Sequence, residues 1–330
     1  MLKVADLAGV SLSTVDRVLN ERGSVSDLKR RKVLNAARAL GLKRLLPSPV
    51  HGLLRFDLLM VESGTDHFRR LSEAFARQAQ ILRSRLVLQS QPWDERNPQQ
   101  LLEFIAQPRT ARQGLIVVAH DTPAIRAALQ AQISRGVPVV LLTSSLSGLD
   151  GATFIGIDNR VAGRSAGRLL SQWVSPASGR VLLITNSLLY QAHQQRVGGF
   201  LEILHQRAPT LAVGDPVECY DDDAQTERAV HTAMADGNGL VAIYNTGAGS
   251  AGIRSALLEH GIRPVWLTHE ASPQHAEFLR EGLLSLVIDQ DSEGQANAAI
   301  QHLLYANGDL DAPVMVNPQL RIVIDELLPV

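Results

Sequence analysis

Along the first forty-odd residues, apolar positions recur at helical spacing. Val4, Leu7, Ala8 and Val10, then Val15, Val18 and Leu19, then Val33, Leu34, Ala37 and Leu40 mark helices that each turn one face inward. They predict three short helices, over 3–8, from about Ser13, and over 26–40, closed around one small core. Gly9 separates the first two. Ser11 or Ser13 can cap the second helix, and Ser26 the third, with Asp27 well placed near the positive helix end. Two helices joined by a tight glycine-containing turn form the shape whose second helix lies in the DNA major groove.

From Phe56 onward the period changes. Apolar runs at 56–62, 85–89, 115–119, 137–142 and 153–157 read as strands, the central ones apolar throughout, as in a sheet buried on both faces. Helical patterns over 67–83, 97–106, 123–135 and 161–173 lie between or after them. The turn-like stretch 174–179 introduces a second set, with strands at 181–185, 213–220, 240–244, 265–268 and 284–288 and helices near 193–207, 224–236, 250–260 and 273–281. The expectation is an α/β fold: an N-terminal three-helix helix-turn-helix domain plus two doubly wound α/β subdomains. A last helix at 292–306 and a strand at 319–324 would cross back between them. The boundaries follow as 1–43 for the head, 44–54 for a linker and 55–330 for the body. Within the body, one subdomain takes about 55–158 and 290–312, the other about 161–287 and 315–330.

Charge sharpens this division. Residues 1–50 hold ten Lys/Arg against four Asp/Glu, whereas the remainder holds 22 Arg, 29 acids and no lysine, so a basic head precedes a mildly acidic body. The run Lys29, Arg30, Arg31 and Lys32 is expected outside the head core, facing phosphates. A single cysteine, Cys219, cannot form an internal disulfide, and no apolar run reaches the roughly 18 residues of a membrane span. A cytoplasmic protein is expected.

The stretch A-D-L-A-G-V-S-L-S-T-V-D-R-V-L-N, followed by V-S and a basic third helix ending A-R-A-L-G, resembles the DNA-binding module of LacI-type transcription regulators over residues 2–42. That resemblance puts Leu12 and Ser13 at base-reading positions and Arg17 where an arginine can reach guanine O6/N7. It puts Thr14, Asn20, Ser26, Lys29 and Arg30 at the sugar-phosphate backbone. Asp16 replaces the family's usual serine, and could accept from cytosine N4. The family's hinge helix has no counterpart in Pro47-Ser48-Pro49-Val50-His51-Gly52, because two prolines and a glycine oppose a helix.

The body is similar to the periplasmic-binding-protein-like effector domain of the same regulators, through Gly156-Ile157-Asp158-Asn159 with Gly163, Arg196-Val197-Gly198-Gly199-Phe200, Asn245 and Asp289-Gln290. The resemblance implies a repressor that binds a palindromic operator as a homodimer, controlled by a sugar or polyol between the subdomains, with no catalysis, cofactor or metal. Ligands of open α/β sheets lie beyond the strands' carboxyl ends. The candidates there are Thr65, His67, Phe68, Thr143, Ser144, Asp158, Arg196, Asn245, Glu270, Asp289 and Gln290. Two other classes remain open. One is a sugar-binding protein of transport. The other is an NAD-dependent oxidoreductase, since Gly247-Ala248-Gly249-Ser250-Ala251-Gly252 follows a strand, opens a helix and has Glu270 about twenty residues on. The preferred account of these glycines is close approach of helix N-terminal amides to the effector. The ten histidines show no metal-ligand spacing, and His231, His260, His275 and His302 read as ordinary helical residues.

Overall fold

The computed structural model describes residues 1–20, 22, 25–42, 53–174, 178–235, 239–310, 312 and 317–327. The 47–52 segment, where the sequence opposes a hinge helix, lies outside the described residues.

The head is three helices, α1 (Leu2–Ala8), α2 (Leu12–Leu19) and α3 (Asp27–Ala39). Gly9, at φ 63°, closes α1 in a left-handed cap that a side chain would strain. Ser11 caps α2, its hydroxyl accepting from the Thr14 amide at 3.2 Å. Val4, Ala8, Val15, Val18, Leu19, Val33, Leu34 and Ala37 form the core as expected, with Val10 packed against it, and Ala5 and Ala36 join them. Leu7 and Leu40 do not join it, being 58% and 41% exposed. At about 100° per residue, Leu7 projects from the flank of the Val4/Ala5/Ala8 face. Arg30 is the reverse correction: it is buried, not outside.

The first lobe alternates β1 (Leu54–Val61), α4 (Asp66–Ile81), β2 (Leu86–Trp93), α5 (Pro98–Ala106), β3 (Gly114–Val117), α6 (Pro123–Ser134), β4 (Val139–Leu142) and β5 (Ala152–Ile155). Its strands run parallel in the order β2-β1-β3-β4-β5. The second lobe comprises α7 (Asn159–Trp173), β6 (Gly179–Thr185), α8 (Gln191–Arg207), β7 (Leu211–Val213), β8 (Val217–Glu218), α9 (Asp223–Ala235), β9 (Leu240–Asn245), α10 (Ser250–His260), β10 (Val265–His269), α11 (Pro273–Arg280) and β11 (Leu286–Asp289). The single strand expected over 213–220 is two short ones, both on the edge of β6. Pro216 between them has no N–H to give the ladder.

The chain then crosses back. Ala296, Ala299, Ile300 and Leu303 of α12 (Ser292–Ala306) enter the first lobe's core, while β12 (Arg321–Val323) pairs antiparallel with β11. In the second lobe α7 and α8 pack at backbone contact: a Cβ on Gly163 would lie 2.0 Å from the Arg196 carbonyl oxygen. That approach sets Arg196 at the mouth between the lobes. Among the described residues, no helix is long and apolar enough to cross a membrane.

Candidate functional site

Between the lobes, beyond the carboxyl ends of both sheets, lies a cavity of about 1240 Å³. It is somewhat larger than the ~300–1,000 Å³ usual for a small-molecule site. Thr65, His67, Phe68, Thr143, Ser144, Arg196, Glu270 and Gln290 all line it. Most are engaged across the cleft. His67 of α4 reaches Glu270 Oε2 at 3.0 Å through Nδ1 and Thr143 Oγ1 at 3.3 Å through Nε2. Arg70 donates to Glu270 and to Asp289 Oδ1, the latter at 2.6 Å. Ser144 Oγ accepts from the Ala192 amide at 3.2 Å. Phe68 packs against the first core and meets His67 edge-on at 5.1 Å, serving core and cavity together.

Arg196 is 3% exposed. Its Nε donates to Asn159 Oδ1 at 2.8 Å, one terminal nitrogen to the Thr246 carbonyl at 2.8 Å and the other to Gln290 Oε1 at 2.5 Å. Each terminal nitrogen therefore keeps one further N–H for a ligand. Burial away from water pulls its pKa down to about 10. The bonds continue into a ring: Asn159 Nδ2 to the Thr143 carbonyl, Thr143 Oγ1 to Gln295 Oε1, and Gln295 Nε2 to the Gln290 carbonyl. Two segments by which the chain passes between lobes, at Asp158 and at Gln290, are thereby held together.

Three candidates are not among the residues that line the cavity. Asp158 caps α7, accepting from the Val161 amide at 2.9 Å, and serves the turn rather than the cavity. Asn245 is fully buried and clamps its own loop, its Nδ2 donating to the Ala248 carbonyl at 2.8 Å and its Oδ1 accepting from the Gly247 amide at 3.1 Å. Asp289 is turned to Arg70 and the Ala271 amide; burial would raise its pKa, but those donors outweigh burial and hold it below the usual carboxylate range.

The glycine loop also needs correction. Four of its amides are already taken: Gly247 N–H by Asn245 Oδ1, Ala248 N–H by Asp221 Oδ1 at 2.7 Å, and those of Ala251 and Gly252 by Asp223 Oδ1 at 3.1 and 3.3 Å. Two carboxylates sit where a pyrophosphate would need donors, and their charge opposes one. The glycines permit close packing instead: a Cβ on Gly252 would lie 1.8 Å from the Asp223 carbonyl oxygen.

Sequence reasoning missed Glu95, His120, Asn186, Tyr190, His193, Tyr220, Asp221 and His275, which also line the cavity. His275 is buried, its Nδ1 2.6 Å from the Glu270 carbonyl oxygen and its Nε2 2.8 Å from Ser250 Oγ. Backbone strain marks the region. Among the described residues five non-glycines have positive φ, and four of them, Thr143, Tyr220, Asp221 and Glu270, line the cavity. Such strain persists where surrounding structure enforces a geometry. Away from the cleft, Glu227, His231 and Glu259 bring ligand-type atoms within 4.8 Å of one another, and His231 Nδ1 lies 2.9 Å from His260 Nε2. The packing of α9 on α10 gathers them, which no spacing in the sequence shows.

In the head, Leu12, Ser13, Arg17, Ser26 and Lys29 are exposed. Arg17 folds back on Ser13, Nε 3.3 Å from its carbonyl and a terminal nitrogen 3.2 Å from its hydroxyl. Asp16 Oδ1 accepts from Asn20 Nδ2 at 2.7 Å, so each occupies part of the other's bonding capacity. Thr14 is buried with its hydroxyl on Ser11 at 2.9 Å, and Arg30 is buried, so neither presents a free surface group to phosphate.

Residues 56–309 match the family described as periplasmic binding protein domain, and residues 1–44 match bacterial regulatory proteins of the lacI family. Among solved structures, the chain is similar to a glucose-galactose binding protein from Geobacillus stearothermophilus (19% identity, covering 85% of this chain and 100% of that one, TM-score 0.75). It is also similar to a transporter solute binding protein from Bacillus halodurans C-125 with bound myo-inositol (17% identity, 83% and 96% covered, TM-score 0.72). A third is a solute binding protein from Agrobacterium vitis bound with alpha-D-tagatopyranose (14% identity, 83% and 95% covered, TM-score 0.72). At these identities the likeness is one of fold. No curated protein matches the sequence.

Proposed function

The chain belongs to the periplasmic binding protein domain family and carries a lacI-family regulatory head, and from that premise we propose that it is a repressor whose hold on a palindromic operator is set by a sugar or polyol closed between its lobes. One observation carries the reading: a single chain joins a helix with Leu12, Ser13 and Arg17 exposed to a two-lobed cavity walled by hydroxyls, amides and carboxylates. Neutral hydroxylated ligands suit such walls, and solved structures of similar fold include a glucose-galactose binding protein and two solute binding proteins with bound myo-inositol and tagatopyranose.

In this reading residues 1–43 bind DNA, 44–54 link, and 55–330 bind the effector. Leu12, Ser13 and Arg17 read base edges, with Ser26 and Lys29 on phosphates. Thr65, His67, Phe68, Thr143, Ser144, Arg196, Glu270 and Gln290 hold the effector. One head reads too few bases for tight specific binding, so two chains act as a dimer on half-sites about 34–36 Å apart or a multiple of that. Effector contact with Arg196 and Gln290 acts on the ring that ties the two crossings, and so on the angle between lobes. Coupling of this kind is typically worth ~1–3 kcal/mol, roughly 5- to 150-fold in operator affinity.

The test is a gel-shift titration of the full chain with DNA upstream of its own coding sequence, repeated with a panel of sugars and polyols. A discrete complex weakened by one compound is expected. Binding that is the same on unrelated DNA, or unchanged by every compound that raises the protein's melting temperature, would sink the reading.

A further inference from the structure

Among the buried and half-buried carboxylates that line the cleft, two lack an arginine partner among the described residues. Glu270 is met by Arg70 and His67, Asp289 by Arg70, and Asp66 by Arg69 at 2.5 Å. Arg196 donates to three neutral acceptors. Glu95, from the loop after β2, and Asp221, from the loop after β8, line the same cavity from opposite lobes. Among the described residues neither makes an ion pair with an arginine, and the body contains no lysine. Glu95 has the His120 imidazole at 3.3 Å and the Tyr190 hydroxyl beside it; burial would raise its carboxyl, and these two hold it below the ordinary value. Asp221 has the Ala248 amide and the Asn186 side-chain amide.

A third acceptor stands with them. Asn186 is 5% exposed, lines the cavity, and its Oδ1 is buried without a hydrogen-bond partner. It adjoins Asp221: a Cβ on Gly247 would lie 2.5 Å from Asp221 Oδ1 and 3.3 Å from Asn186 Cβ. A buried unpaired acceptor is costly, and two carboxylates without a cation more so. A sugar hydroxyl brings one proton to such a corner; an ammonium group brings three, and a charge. The Asp221 carboxyl is pushed up from its ordinary value by burial, with Glu95 adding to the effect. A nearby cation would reverse that.

We infer that the effector is a hydroxylated compound bearing a protonated amine, an amino sugar or amino polyol, whose ammonium group lies between Glu95, Asp221 and Asn186 Oδ1. This rests on the reading of the cleft as a sugar or polyol site. The remaining hydroxyls fall to Arg196, His67 and Gln290. The experiment is calorimetric titration of the full chain with D-glucosamine, D-galactosamine and D-mannosamine, their neutral parent hexoses, and their uncharged N-acetyl derivatives. At least one amine is expected to bind ten-fold or more tighter than both its parent and its N-acetyl form. That advantage should vanish in Glu95→Gln, a partly exposed position, with the parent's affinity kept. A neutral hexose binding as tightly as its amine overturns the amine and leaves the sugar reading standing. No binding by any of the nine overturns both.

Discussion

The two working regions of this molecule are built on opposite plans. In the head, the groups proposed to read DNA stand on one short helix and its neighbour and project into solvent: Leu12, Ser13 and Arg17 pack against nothing that the core depends on. In the cleft, Arg196, Glu270 and Gln290 are buried, and each is bound to partners from other elements. A residue of the first kind can change affinity without changing stability. A residue of the second kind cannot, since removing it strands its partners.

The largest expected effect therefore lies in the cleft. Arg196→Ala leaves Asn159 Oδ1, the Thr246 carbonyl and Gln290 Oε1 without their donor. It should abolish effector binding and cost stability at ~1–3 kcal/mol for each buried acceptor left without a donor. Urea denaturation followed by the fluorescence of Trp93, Trp173 and Trp266, all in the body, measures it. A variant as stable as the parent would erase the contrast between the regions. Next, Arg17→Ala should cost roughly 1–3 kcal/mol on a cognate operator and relax preference at one base pair. Its unfolding midpoint should stay put, because Arg17 is exposed. Equal weakening on all DNA would remove Arg17 from the base-reading set.

The smallest effect is a pH dependence confined to the body. Burial holds His193, His269 and His275 below the ordinary 6.5, so the unfolded chain takes up protons that the folded chain refuses. Stability is then full above about pH 6.5 and lost as pH falls toward the folded values. The raised carboxyls of Asp57 and Asp221 oppose this as they protonate. A tryptophan-reported melt lower by a few degrees at about pH 5.5 than at about pH 7.5 is expected. The head has no histidine, and amide exchange in α1–α3 should not follow. A flat melt, or a head that loosens in step, would argue that the two regions respond to acid alike.

How far each region could be read from the sequence follows from the same contrast. Helical periodicity placed α1–α3 and most of their core, and failed at Leu7, Leu40 and Arg30, where a quarter-turn of helix decides inside from outside. In the body, apolar runs located strands and helices, positions just after strands found His67, Thr143, Glu270 and Gln290, and the Arg196-Val197-Gly198-Gly199-Phe200 motif found Arg196. The same positional reasoning offered Asp158, Asn245 and Asp289, which the fold spends on a cap, a loop clamp and an ion pair. It passed over Asp221 and Asn186, whose neighbours are far away in the chain.

The sequence by itself determined the head, the alternation of strands and helices, and the two-lobed body, because these depend on local period, turn chemistry and motifs within a few residues of one another. Only the tertiary structure decided which polar groups face the cavity and which are already satisfied. Hydrogen bonds saturate, and whether a strand-end side chain is free for a ligand depends on what the folded chain, often a hundred residues away, has brought against it. The loop of Gly247 to Gly252 shows the difference: by sequence it suits a phosphate, and in the fold Asp221 and Asp223 already hold three of its amides.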